Sequence, residues 1–209
     1  MMDLPSLIAA CGLVLSPSIV GGIVDTESAR KPYRINVNSK TMKVVSYSFN
    51  TENEAVNFSN DLISQGYSID MGIGQINSIN LPSVNLTVED IFKPCPNLIA
   101  LQTIFLRGYN LKVDRNLSAA QKEFAALSRY NTGHPRSGIK NGYVKKVISA
   151  KLKIEGKNTT APLITLSTQL PLGKPQDSGQ IEGIPDGFST TSNSKGNTPD
   201  GFSNVLIEN

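Results

Sequence analysis

The stretch Ser16-Pro17-Ser18-Ile19-Val20-Gly21-Gly22-Ile23-Val24-Asp25-Thr26-Glu27-Ser28 reads as a single helix that ends on a carboxylate. Ser16 suits an N-cap and Pro17 a first helical turn. Val20 and Val24 are four apart, as are Ile19 and Ile23, so an apolar stripe runs along one face. Glu27 falls seven after Val20 and four after Ile23, and so continues that stripe. A carboxylate placed there loses hydration, which disfavours its charged form and raises its pKa toward that of a general acid. The plainer alternative is a helix-end Glu that reaches water beside Arg30 and Lys31. The helix is expected to run to about Arg30, with Pro32 stopping it.

Upstream, Leu4, Leu7, Ile8 and Cys11 form the buried face of a first helix. Residues 41–50 are rich in β-branched and aromatic types and alternate loosely, which predicts a short strand or hairpin. A helix is expected over 52–65, with Ala55, Phe58 and Leu62 inward and Gly66 as its stop. Residues 69–80 mix glycine, apolar residues and amides, and read as an irregular, functional connection. Pro96 opens an apolar helix toward Tyr109. Ser118 and Gln121 make a capping box for the next helix, with Ala120, Phe124 and Leu127 inward and an end at Tyr130. A last helix over 142–154 carries Tyr143, Val144, Val147 and Ile148. The sum is an α+β, mostly helical domain over 1–155.

Composition narrows the function. The 209 residues can bury one ordinary core, and the net charge is only +3. That charge is uneven: 17 Lys/Arg against 12 Asp/Glu up to Glu155, then 3 against 5. No run of basic residues stands out and none is interleaved with aromatics, so no nucleic-acid partner is expected. No apolar stretch is long enough to span a membrane. His134 has no second His or Cys nearby, so no metal site is expected. Two cysteines, Cys11 and Cys95, allow one bridge, which would fit an oxidising compartment; two buried thiols are the alternative. Asp3 precedes the first apolar segment and no basic residue does, which argues against a signal peptide. Ile8-Ala9-Ala10-Cys11 is a faint lipoprotein-like box without the positive flank such a signal needs.

From 156 to 209 the chain turns to Pro, Gly, Ser, Thr and Asn without helical period and is expected to be a disordered tail. Pro185-Asp186-Gly187-Phe188-Ser189 is echoed by Pro199-Asp200-Gly201-Phe202-Ser203. Each copy pairs a turn with one phenylalanine; the plainer alternative is a chance duplication in a solvated tail, and the functional one is a docking motif presented twice.

Three segments carry the chemistry: Glu27-Ser28, Gly72-Ile73-Gly74-Gln75-Ile76-Asn77, and Arg129-Tyr130-Asn131. In this order they resemble the Glu-Ser, Gly-Leu-Met-Gln-Ile and Ala-Tyr-Asn motifs of the lysozyme-like lytic transglycosylases. The similarity extends through 18–38, 66–72, the Pro94-Cys95-Pro96-Asn97 turn and Tyr130 to Gly133. Over about 4–153 the chain looks like the subgroup attached to type IV secretion and conjugation systems.

The resemblance implies a lysozyme-like fold, no cofactor, and peptidoglycan glycan strands as substrate. Glu27 would be the sole acid/base. It would protonate the oxygen leaving a MurNAc–GlcNAc bond, then deprotonate the sugar's C6 hydroxyl to close a 1,6-anhydro ring. Ser28 would orient Glu27, bind substrate, or satisfy the helix end. Gly72 and Gly74 would let backbone approach the glycan, and Gln75 would hydrogen-bond to sugar, with Asn77 beside it. Tyr130 would hold the Glu27 carboxyl, and Asn131 would bind substrate or shape its turn. Gly74 replaces the family's Met, removing an apolar wall beside the sugar. Arg129 replaces its Ala and is expected to point outward.

The family works in the periplasm or cell envelope, and the tail would recruit secretion or conjugation components. Two rivals remain. Asp70 facing Glu27 would suit a muramidase that uses water. A weakly active peptidoglycan-binding assembly factor would need neither carboxylate.

Overall fold

A computed structural model describes residues 3–38 and 44–157, and within them the chain is α+β and mostly helical. Both Pro-Asp-Gly-Phe-Ser copies and the rest of 158–209 lie outside the described residues, as do 41–43 of the expected hairpin.

Helix α1 (Leu4–Ala10) is capped by the Asp3 carboxylate and buries Leu4 and Ile8. Helix α2 (Pro17–Glu27) opens at the Ser16 cap and stops three residues earlier than its pattern suggests. Ala29 and Arg30 both take left-handed backbone (φ 52° and 65°), which turns the chain out of the helix immediately after Ser28. Neither is glycine, so each position costs on the order of 1–2 kcal/mol that the rest of the fold must offset.

Strand β1 (Arg34–Asn38) pairs with β2 (Val45–Ser48). After helix α3 (Glu52–Ser64), strands β3 (Ser68–Met71) and β4 (Ile76–Asn77) complete an antiparallel sheet in the order β2-β1-β3-β4. The segment read as irregular over 69–80 is therefore partly sheet. Asn36 stands opposite both Ser46 and Asp70, and Asp70 opposite Asn77. Strand alternation then gives the sheet two faces. Arg34, Asn36, Asn38, Ser46, Asp70 and Asn77 share one. Ile35, Ile69, Met71 and Ile76, all nearly or fully buried, share the other.

One-turn helices α4 (Leu81–Val84) and α5 (Val88–Ile91) lead to α6 (Pro94–Tyr109), which begins two residues before Pro96. Cys95 in its first turn is bonded to Cys11 at the end of α1, with a Cα–Cα distance of 5.2 Å. On the chain-entropy account, closing a loop of 84 residues stabilises the fold by about 4–5 kcal/mol. Gln102 on α6 reinforces the join by accepting the Val14 and Leu15 N–H groups at 2.7 and 3.0 Å.

Helix α7 (Ala119–Thr132) starts at the Ser118/Gln121 capping box and ends two residues past Tyr130, where Gly133 (φ 71°) caps it. Ala120 is exposed rather than inward. Arg129 does not point outward: it is buried against Asp114, and also donates to the Gly108 carbonyl at 3.1 Å. The short α8 (Ser137–Lys140) then hands the chain to α9 (Tyr143–Ile154). Helices α2 and α9 lie in close contact through Gly21 and Gly22. A Cβ at Gly22 would stand 2.8 Å from the Val147 carbonyl oxygen, so only glycine permits this approach.

Candidate active site

Glu27 ends α2 where α2, the start of α9 and the polar face of the sheet converge. Its partner is Tyr143, the first residue of α9, whose hydroxyl donates to Glu27 Oε1 at 2.6 Å. Burial dominates the electrostatics and pushes the Glu27 pKa up to about 8. The Tyr143 hydrogen bond pulls it down, the Asp70 charge raises it, and Arg34 lowers it. As a whole residue Glu27 is half-buried. Burial beside Glu27 holds the Tyr143 phenol well above its usual pKa, so it remains a donor.

Ser28, next in the chain, is fully buried. Its hydroxyl donates to the Ile73 carbonyl at 2.7 Å and thereby ties the glycine loop to the end of α2. It has no surface with which to bind substrate.

The loop over 72–75 is gripped from inside. Asn97, 1% exposed, accepts the Gly74 N–H at 2.7 Å and donates to the carbonyls of Met71 and Ile91 at 3.1 and 2.7 Å. A Cβ at Gly72 would sit 2.3 Å from Asn97 Nδ2, and one at Gly74 would sit 2.8 Å from Asn97 Oδ1. Both glycines thus make room for Asn97 rather than for a sugar. A side chain at position 74 would point at Asn97, Leu101 and Tyr130, so replacing Met there alters the interior and not a cleft wall.

Gln75 (φ 52°) also turns inward and donates from Nε2 to the carbonyls of Arg34 and Gly72 at 3.0 and 2.8 Å. Its Oε1 is buried with no partner among the described residues. Tyr130 does not hold Glu27; its hydroxyl donates to the Gly74 carbonyl at 2.6 Å. Asn131 accepts from Asn141 at 2.9 Å, which shapes the turn between α7 and α9.

Asp70 stands on the polar sheet face, close enough for its charge to act on Glu27. Its two oxygens accept from Asn38 at 2.9 Å and Asn77 at 2.8 Å. Burial raises its pKa, while these two amides lower it. Asn77 thus serves to position Asp70, and its Oδ1 also caps the turn at Ile79 N–H. The Arg34 Nε is buried without a partner among the described residues. No cluster of His, Cys, Asp and Glu among the described residues could hold a metal ion.

Three residues of this constellation escape sequence reasoning: Tyr143, Asn97 and Asn38. Tyr143 reads as one more inward aromatic on an apolar helix. The only local signal is its position at the helix start, directly after Gly142 (φ 84°).

No family model and no solved structure matches the chain. Curated relatives do. Protein virB1 of Agrobacterium fabrum is 30% identical over 157 residues, covering 73% of this chain and 60% of that protein. Type IV secretion system protein virB1 of Brucella abortus biovar 1 is 28% identical over 170 residues, covering 78% and 68%. Protein virB1 of Rhizobium radiobacter is 30% identical over 142 residues, covering 67% and 57%. The chain therefore spans less than two thirds of the length of the Agrobacterium fabrum and Rhizobium radiobacter relatives. Similarity at this level over most of the chain makes it a homologue of those proteins, and it belongs to the VirB1 family of type IV secretion system proteins.

Proposed function

We propose that this protein is a peptidoglycan lytic transglycosylase that opens the cell wall locally for a type IV secretion or conjugation apparatus. The observation that carries this is the Glu27 carboxyl, kept neutral near pH 7 and fixed by the Tyr143 hydroxyl at 2.6 Å. Neutral Glu27 donates its proton to the glycosidic oxygen as the MurNAc–GlcNAc bond breaks. The resulting carboxylate, steadied by Tyr143, removes the proton from the MurNAc C6 hydroxyl. That oxygen closes onto C1, giving the 1,6-anhydro ring and returning the proton to Glu27. No water is consumed and one carboxyl suffices. The Cys11–Cys95 bridge suits an oxidising envelope compartment, and no helix among the described residues is long and apolar enough to cross a membrane.

Asp70 supports a second reading. A carboxylate held by two amides in the same site is what a hydrolytic muramidase would use to stabilise the developing oxocarbenium charge. Mass spectrometry of digested peptidoglycan separates the two, since anhydro ends mean transglycosylation and reducing ends mean hydrolysis. The same digest with Glu27→Gln is expected to give no product. Equal clearance by that variant would remove Glu27 from the chemistry, whereas no clearance by either protein would leave an assembly role.

A further inference from the structure

The α2–α9 pair carries a second concavity that the chemistry above does not use. A groove of about 610 Å³ is lined by Asp25 on α2 and by Lys145, Lys146, Ser149, Ala150, Lys153 and Ile154 on α9. Its charge is one-sided. The Asp25 carboxylate is taken up by Arg30. Neighbouring cations are likewise satisfied, Lys151 by Glu123 and Lys157 by Glu155. Lys145, Lys146 and Lys153 have no carboxylate partner among the described residues. Between them lie Ala150 and Ile154, the latter 41% exposed. The groove thus offers ammonium groups beside an apolar strip.

We propose that this groove is the docking site for the chain's own Pro-Asp-Gly-Phe-Ser repeats, Asp186 or Asp200 meeting the lysines and Phe188 or Phe202 the Ile154 strip. Three features favour this occupant. The chain leaves α9 at Ile154, at the end of the groove itself, and continues past Lys157. Residues 158–209 carry 2 Lys against 5 Asp/Glu, a net −3 opposite the unpaired lysines. Each repeat sets a carboxylate two residues from an aromatic ring, the pairing that ammonium groups flanking an apolar strip select. Reach is ample, since the 29 residues from Lys157 to Asp186 can span up to about 100 Å. Being in one chain, repeats and groove meet at high effective concentration, and two copies double the chance of occupancy. The proposal does not depend on the transglycosylase reading.

Zero-length carbodiimide cross-linking of the full chain at low salt, followed by mass mapping of the monomer, tests it. The expected links join Lys145, Lys146 or Lys153 to Asp186 or Asp200, and weaken several-fold at about 0.5 M salt. The triple variant Lys145→Glu/Lys146→Glu/Lys153→Glu is expected to lose them. Adding Asp186→Lys and Asp200→Lys to that triple is expected to restore links between the same positions with the charges exchanged. Links spread evenly over exposed lysines elsewhere, such as Lys31 and Lys112, would overturn the proposal. So would links found only between molecules, or a charge exchange that restores nothing.

Discussion

Glu27→Gln should abolish activity and at the same time stabilise the protein, by an amount that grows with pH. Glu27 has a folded pKa of about 8 against an ordinary 4.5. Below pH 4.5 the carboxyl is neutral in both states and contributes no difference. Between 4.5 and 8 the unfolded chain releases the proton while the folded one keeps it. The folded state then binds more protons, so stability falls as pH rises. At about 1.36 kcal/mol per pKa unit, the 3.5-unit gap sets a destabilisation of up to about 5 kcal/mol at pH 8, and about 3 at pH 7. Gln removes this titration while its carbonyl still accepts the Tyr143 hydroxyl. At about 2–4 °C per kcal/mol for a chain of this size, the variant should melt up to about 6–12 °C higher at pH 7. Thermal and urea unfolding of both proteins at pH 4, 6 and 8 measures this, with digestion of purified cell wall in parallel. A stability difference that is flat with pH, or that reverses sign, would refute the buried-acid reasoning even if activity vanished.

Tyr143→Phe removes a hydrogen bond that stabilises charged Glu27, worth about 1.5–3 kcal/mol. Its pH–rate profile should keep activity to higher pH while the rate at the optimum drops roughly ten- to a hundredfold; a basic limb that moved down would contradict the geometry. Asp70→Asn removes the charge that raises Glu27, so the basic limb should move to lower pH with anhydro products retained. A collapse of turnover with loss of reducing-end products would instead favour the muramidase. Gly74→Met restores the family's residue but drives a Cβ to 2.8 Å from Asn97 Oδ1. It should lower unfolding free energy by about 2–3 kcal/mol in urea titration, and unchanged stability would refute the reading of Asn97 as the loop's anchor.

What the sequence discloses is what short-range physics controls. The start of α2 is legible because Ser16 and Pro17 satisfy and pre-set the first turn. The start of α7 is legible because Ser118 and Gln121 cap each other across three residues. Glu27 is legible because helical period alone puts it on the apolar stripe. The end of α2 is not legible, because neither Ala29 nor Arg30 is a residue type that announces the left-handed backbone it adopts. Strands β1 and β3 hide because Asn36, Asn38 and Asp70 suit strands poorly taken singly, and are held there by cross-strand hydrogen bonds. Arg129 looks like a surface substitution until Asp114, fifteen residues earlier, is brought beneath it. Tyr143 meets Glu27 across 116 residues, a contact that no local pattern encodes.

The glycine motif shows the same division within the site. Read as sequence, its amide and glycines suggest contact with sugar. In the fold, Gln75, Gly74 and the Ile73 carbonyl all face inward, to Arg34 and Gly72, to Asn97 and Tyr130, and to Ser28. The motif therefore acts through position: it joins the end of α2 to the sheet and to α6 and α7, while Tyr143 fixes Glu27 from α9. The Tyr143 hydrogen bond holds the carboxyl itself and the motif holds the neighbouring Ser28, so a proton can leave and return without the group moving. Substitutions in the motif should accordingly lower kcat more than they raise KM, because they disturb where the carboxyl stands before they disturb what the sugar touches.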